Sequence, residues 1–124
     1  METVVLCRGD DFFSQQNLPK MDILELDVEG YEKRVLSGLR ETLLKDRPVI
    51  LTELMGNSEK SGFQDVTDLH NCLYPEHELF SLRGKRKAKL TLFDWNGGES
   101  VCLPQERAHH FRHITSNTGS WRKR

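Results

Sequence analysis

Four acids in the first half of the chain are spaced as if to meet. Asp27 stands near the end of an apolar run, Met21 to Val28, that reads as a β-strand closing in a turn at Glu29-Gly30. Glu29 and Glu32 fall on that turn and on the first turn of the helix that follows. Glu53 occupies the equivalent end of the next strand candidate, Val49 to Leu54. If the two strands are parallel, all four carboxylates converge on one crevice at the carboxyl edge of the sheet, where ligands bind in open α/β folds. Each acid also has a plainer use. Glu29 and Glu32 can complement a helix dipole, and Glu53 can close a strand end. Asp27 is hardest to read as structural, because it follows Ile-Leu-Glu-Leu where the strand leaves the core. Glu25, inside that strand, suits a polar cleft or a basic partner.

The elements that must position these acids follow from periodicity. Tyr31, Val35, Leu39 and Leu43 recur every four residues with Leu36 beside them, which predicts one helix. Gly30 lets the chain turn from strand into helix. Asp46-Arg47-Pro48 stops the helix, since the residue before proline avoids helical geometry. Strand, helix, strand over this length is a βαβ unit with parallel strands. Upstream, Val4-Val5-Leu6 reads as a short strand. Downstream, Val66, Leu69 and Leu73 predict a short amphipathic helix ending near Pro75. Glu78 to Leu82, Leu90 to Trp95 and Ser100 to Leu103 read as strands. Arg83 to Lys87 and Asn96-Gly97-Gly98 have turn chemistry, so antiparallel hairpins are expected at both. The predicted fold is α/β: a parallel βαβ core followed by antiparallel strands, resembling the second half of a doubly wound sheet. One domain is expected over residues 1–115, with a disordered basic tail over 116–124.

Composition narrows the class. With 36% hydrophobic and 30% charged residues the chain can build a core, and a formal net charge of −1 gives no global pull toward nucleic acid or membrane. No apolar run is long enough to span a bilayer, and the N-terminus lacks a secretory pattern. Three cysteines without a Cys-x-x-Cys pair suit reduced thiols and a cytoplasmic location. His109, His110 and His113 include an i, i+4 pair, but without the Glu of a His-Glu-x-x-His register no metal site is expected. The basic run Arg83, Lys85, Arg86, Lys87, Lys89 could bind phosphate or RNA but reads more simply as a solvated hairpin tip, so no nucleic-acid partner is expected; Phe93 and Trp95 read as packing residues.

One stretch resembles a known family. Asp22-Ile-Leu-Glu-Leu-Asp27-Val-Glu29-Gly30-Tyr31-Glu32, then Val35-Leu36-Ser-Gly38-Leu39, then Arg47-Pro48-Val-Ile-Leu-Thr-Glu53-Leu54 is similar to the FkbM methyltransferase family. That family shows a strand ending in Asp-Val-Glu-Gly-x-Glu, a helix with Val-Leu-x-Gly, and a strand introduced by Arg-Pro and ending in Glu. Gly9-Asp10-Asp11-Phe12 resembles its Leu-Asp-Asp-Leu element, with Gly9 in place of leucine. Ser100-Val-Cys-Leu-Pro104 resembles its last strand.

The resemblance implies a Rossmann-like methyltransferase sheet and transfer of a methyl group from S-adenosylmethionine to a hydroxyl of a small molecule or sugar. It implies Asp27 and Glu29 as catalytic residues, Asp10 and Asp27 toward the cofactor, and Glu32 and Glu53 toward the acceptor. The glycine-rich turn that cradles the cofactor in such enzymes has no counterpart here. The chain is therefore expected to be the C-terminal half of the family fold, truncated or split, with weak or absent cofactor binding alone. A second chain carrying the other half is one expected partner; a non-catalytic remnant, or an interaction module that pairs with another chain, is the alternative reading.

Overall fold

The computed structural model describes residues 1–54, 61–84, 86–95 and 98–114. In chain order the elements are α1 (Gly9–Gln15), β1 (Ile23–Leu26), α2 (Glu32–Gly38), α3 (Arg40–Asp46), β2 (Val49–Glu53), α4 (Val66–Cys72), β3 (His77–Arg83), β4 (Lys89–Leu92) and β5 (Glu99–Pro104). A 3-10 segment, Gln105–Ile114, follows. The strands form one mixed sheet in the order β1-β2-β5-β3-β4. β1 and β2 are parallel, with Ile23 opposite Val49 and Leu26 opposite Thr52, so the βαβ unit forms as its pattern dictates. The other pairings are antiparallel.

Alternation divides the sheet into two unlike faces. Leu26, Ile50 and Cys102 turn to the helices and join Leu36, Leu43, Phe63, Leu69 and Tyr74 in the main core. Leu36 and Leu43 are fully buried, and each such leucine contributes about 1.5–3 kcal/mol through apolar burial. The other face presents Val49, Phe80, Leu90, Val101 and Leu103, covered by Phe111 and Ile114 of the 3-10 segment. Beside these, Ile23 on the edge strand is 61% exposed. The helix layer is thus complete on one face and thin on the other.

Four features depart from the sequence pattern. The single helix expected from Tyr31 to Leu43 is broken into α2 and α3 at Leu39. Asp10 causes the break: its carboxylate accepts hydrogen bonds from the amides of Glu41 and Thr42 (both 2.9 Å) and from the Thr42 hydroxyl (2.7 Å), capping α3 from outside the helix. Burial pushes the Asp10 carboxyl up, but these hydrogen bonds outweigh it and hold the pKa below its ordinary value. Gly9 allows this approach, since a Cβ there would clash with the Leu39 side chain.

Val4-Val5-Leu6 forms no strand. These residues are 75%, 86% and 90% exposed, for β-propensity yields a strand only where a partner strand is available. The hairpin expected at Asn96-Gly97-Gly98 does not pair β4 with β5; β5 instead inserts between β2 and β3, and β4 ends at Leu92 rather than Trp95. His109, His110 and His113 lie on a 3-10 segment rather than on an α-helix. Residues 115–124, which include the basic tail, and Lys85 lie outside the described residues.

Candidate active site

Parallel pairing places Asp27 and Glu53 at the same end of the sheet. Asp27 follows Leu26, Glu53 follows Thr52, and Leu26 and Thr52 are partners in the ladder. The insertion of β5 adds a third acid, because Glu53 lies directly opposite Glu99. Glu25, two residues before Asp27, faces the same side, opposite Leu51. Together they line a hollow of about 250 Å³ whose floor includes Leu51 and Leu82. None of the four carboxylates makes an ion pair with a described residue. Like charges directly opposite across an antiparallel pair destabilise it. An acid row at a strand end therefore costs stability, which a structural role does not explain.

The turn beside this row is tightly held. Glu29 and Gly30 take φ values of +46° and +106°, and the Tyr31 amide donates to the Val28 carbonyl at 3.4 Å. A glutamate in the left-handed region is uncommon and marks a turn fixed by its surroundings. Glu32 does the fixing. Its fully buried carboxylate accepts from the Gly30 amide at 3.0 Å, so it supports the turn from beneath. Glu29 itself is exposed.

The acids named from sequence thus separate. Asp27 and Glu53 come together and Glu29 stands on the adjoining turn, whereas Glu32 is buried under that turn and Asp10 is buried among α1 and α3. Glu99 escaped sequence reasoning, since its placement depends on β5 entering the sheet interior. Its one local signal was a position directly after a Gly-Gly turn and before a β-type run. Thr52 and Ser100, also partners in the ladder, point toward the helix-covered face, and their hydroxyls are buried without a hydrogen-bond partner among the described residues.

The other constellations have settled structural roles or none. Phe93 and Trp95 pack edge-on at 5.3 Å, and Trp95 reaches Phe63 at 6.2 Å. The three cysteines are free; burial pushes the Cys102 thiol up to about 12. Among the described residues no three His, Cys, Asp or Glu side chains gather as a metal site, and no helix is long and apolar enough to cross a membrane.

Residues 2–76 match the family model of the methyltransferase FkbM domain. That match spans more than half of the 124 residues and includes β1, the turn with Glu29 and Gly30, α2, α3 and β2. The chain belongs to the FkbM methyltransferase family. No curated protein and no solved structure matches it. Methyltransferases of this kind generally use S-adenosylmethionine, whose sulfonium, ammonium and ribose hydroxyls are complementary to carboxylates. The acid row holds carboxylates, the group type that suits them. Its hollow, about 250 Å³, is smaller than the ~300–1,000 Å³ typical of ligand pockets.

Proposed function

We propose that this chain carries the acceptor side of a methyltransferase site acting on a hydroxyl of a small molecule or sugar. The observation that carries the reading is the row Asp27, Glu53, Glu99 at the carboxyl end of the parallel pair, without cationic partners among the described residues and with a hollow above it. Asp27 orients the acceptor hydroxyl and takes its proton. Glu29, on the strained turn, stands beside it, and Glu53 lines the acceptor side. Asp10 and Glu32 act from behind, through the α3 cap and the Gly30 turn. Methyl transfer is a displacement in which positioning is most of the catalysis, so a rigid turn under Asp27 serves the reaction directly.

In this reading S-adenosylmethionine is held chiefly by a cradle that these residues do not form. An open wall leaves little to offset the ~4 kcal/mol or more of lost ligand freedom. Titration calorimetry on the purified chain is expected to give a dissociation constant of about 1 mM or weaker. Adding a polypeptide with the strand, glycine turn and strand of the family should restore binding and transfer of a labelled methyl group. Asp27→Asn should then abolish transfer without abolishing binding. Micromolar binding by the chain alone contradicts the open-wall reading.

A second reading rests on a separate observation. The sheet face under the 3-10 segment holds an apolar hollow of about 260 Å³ lined by Ile23, Leu51, Leu82, Phe111 and Ile114, beside β1, an edge strand among the described residues. Uncovered apolar faces and edges recruit partners, so the chain serves on this reading as a pairing module. A monomer in sedimentation at high concentration that also fails to bind the added half would remove it.

A further inference from the structure

The molecule carries a second polar hollow, opposite in charge to the acid row. It runs along the outer side of α2 and has a volume of about 640 Å³. Arg8, Lys33 and Arg34 line it with Ser37, and among the described residues no carboxylate does. Gly38 and Gly62 close it where neighbouring segments meet α2. A Cβ at Gly38 would lie 3.3 Å from Arg8 Cγ, and one at Gly62 would lie 3.3 Å from Lys33 Cβ.

The three cations are committed to different degrees. Lys33 is fixed by Asp68, Nζ to Oδ2 at 2.7 Å, so its charge is positioned but partly offset. Arg8 meets Asp11 at 3.3 Å with both side chains more than half exposed, a weak and easily redirected pair. Arg34 lies over the Tyr31 ring at 5.8 Å and has no carboxylate partner among the described residues. Two guanidinium groups and a lysine around one hollow match the tetrahedral oxygens of a phosphate group, which guanidinium forks engage in bidentate fashion. In a chain of formal net charge −1 this concentration of positive charge is local rather than a by-product of composition.

We infer that the groove along α2, formed by Arg8, Lys33, Arg34 and Ser37, is a binding site for a phosphate-bearing small molecule. The hollow also touches Gly30, on the turn beside Asp27, but no member of the acid row lines it, so the site stands or falls without the methyl-transfer reading. The test is a titration of the full chain with inorganic pyrophosphate and, in parallel, glucose 6-phosphate, followed by amide chemical shifts. Saturable shifts are expected at Ser37, Gly38 and Gly62 at submillimolar affinity. Arg8→Glu with Arg34→Glu, both outside the core, should weaken binding at least about tenfold while the amide spectrum stays folded. Arg86→Glu with Lys87→Glu on the hairpin should leave it unchanged. Preference for pyrophosphate assigns a diphosphate ligand, and equal affinity for the sugar phosphate assigns a phosphomonoester. Absence of saturable shifts up to about 10 mM, or equal loss in the hairpin variant, overturns the site.

Discussion

The two ends of the sheet treat charge in opposite ways. At the end where β2 begins, Arg47 meets Glu106 through two nitrogens at 2.7 and 2.8 Å and donates to the carbonyls of Pro75 and Glu76. Its guanidinium also lies over the Tyr74 ring at 4.8 Å, and Tyr74 donates in turn to the Pro48 carbonyl. At the end where β2 finishes, Asp27, Glu53 and Glu99 stand in a row with no ion pair to a described residue. One end is stitched to hold the fold, and the other keeps like charges together at a cost. That contrast separates a structural use of charge from one reserved for a ligand, and it sets what substitutions should do.

The largest effect is expected at the stitched end. Arg47→Ala removes four hydrogen bonds and the ring contact, and leaves the Pro75 and Glu76 carbonyls to find other donors. Unfolding by urea should show a loss of about 2–3 kcal/mol. A loss below about 0.5 kcal/mol would erase the difference between the two ends. Asp10→Ala comes next, because it strips the cap that starts α3. The expected loss is about 2 kcal/mol, with reduced helicity by circular dichroism. Full stability in this variant would mean that α2 and α3 break at Leu39 for another reason.

A smaller effect follows from pH, again at the stitched end. Burial, with His70 beside it, holds the His77 imidazole below its ordinary 6.5. The folded state then binds this proton less readily than the unfolded state, so stability is fully present above 6.5 and falls as pH drops below it. The hydrogen bond from Arg47 lowers Glu106 from 4.5 to about 2, so its contribution is present above 4.5 and lost as pH falls toward 2. Both act in the same direction. Melting temperature should decline in two stages on acidification, and His77→Gln should remove the upper one.

How much of this was legible in the sequence depends on how local the cause was. The βαβ unit was readable because an apolar strand, a four-residue repeat and Arg47-Pro48 all lie within Met21 to Leu54. The helix break at Leu39 was not, because its cause is Asp10, 32 residues before the Thr42 that it caps. The place of β5 was not either: Gly97-Gly98 suits a hairpin and a crossover equally, and the strand order is decided by packing across the whole sheet. Glu99 was missed for that reason. Residue type also could not separate the acids. Glu29 and Glu32 stand three apart on one turn, yet one is exposed and the other wholly buried, a difference set by which side of the turn meets the core.

The central claim is that the acid row serves a ligand rather than the fold. The most direct measurement is urea unfolding of the triple variant Asp27→Asn, Glu53→Gln, Glu99→Gln beside the parent chain. The prediction is unchanged stability or a gain of up to about 1 kcal/mol, as opposed like charges are relieved. A loss of about 2 kcal/mol or more would show that these carboxylates hold the sheet together, and would contradict the account.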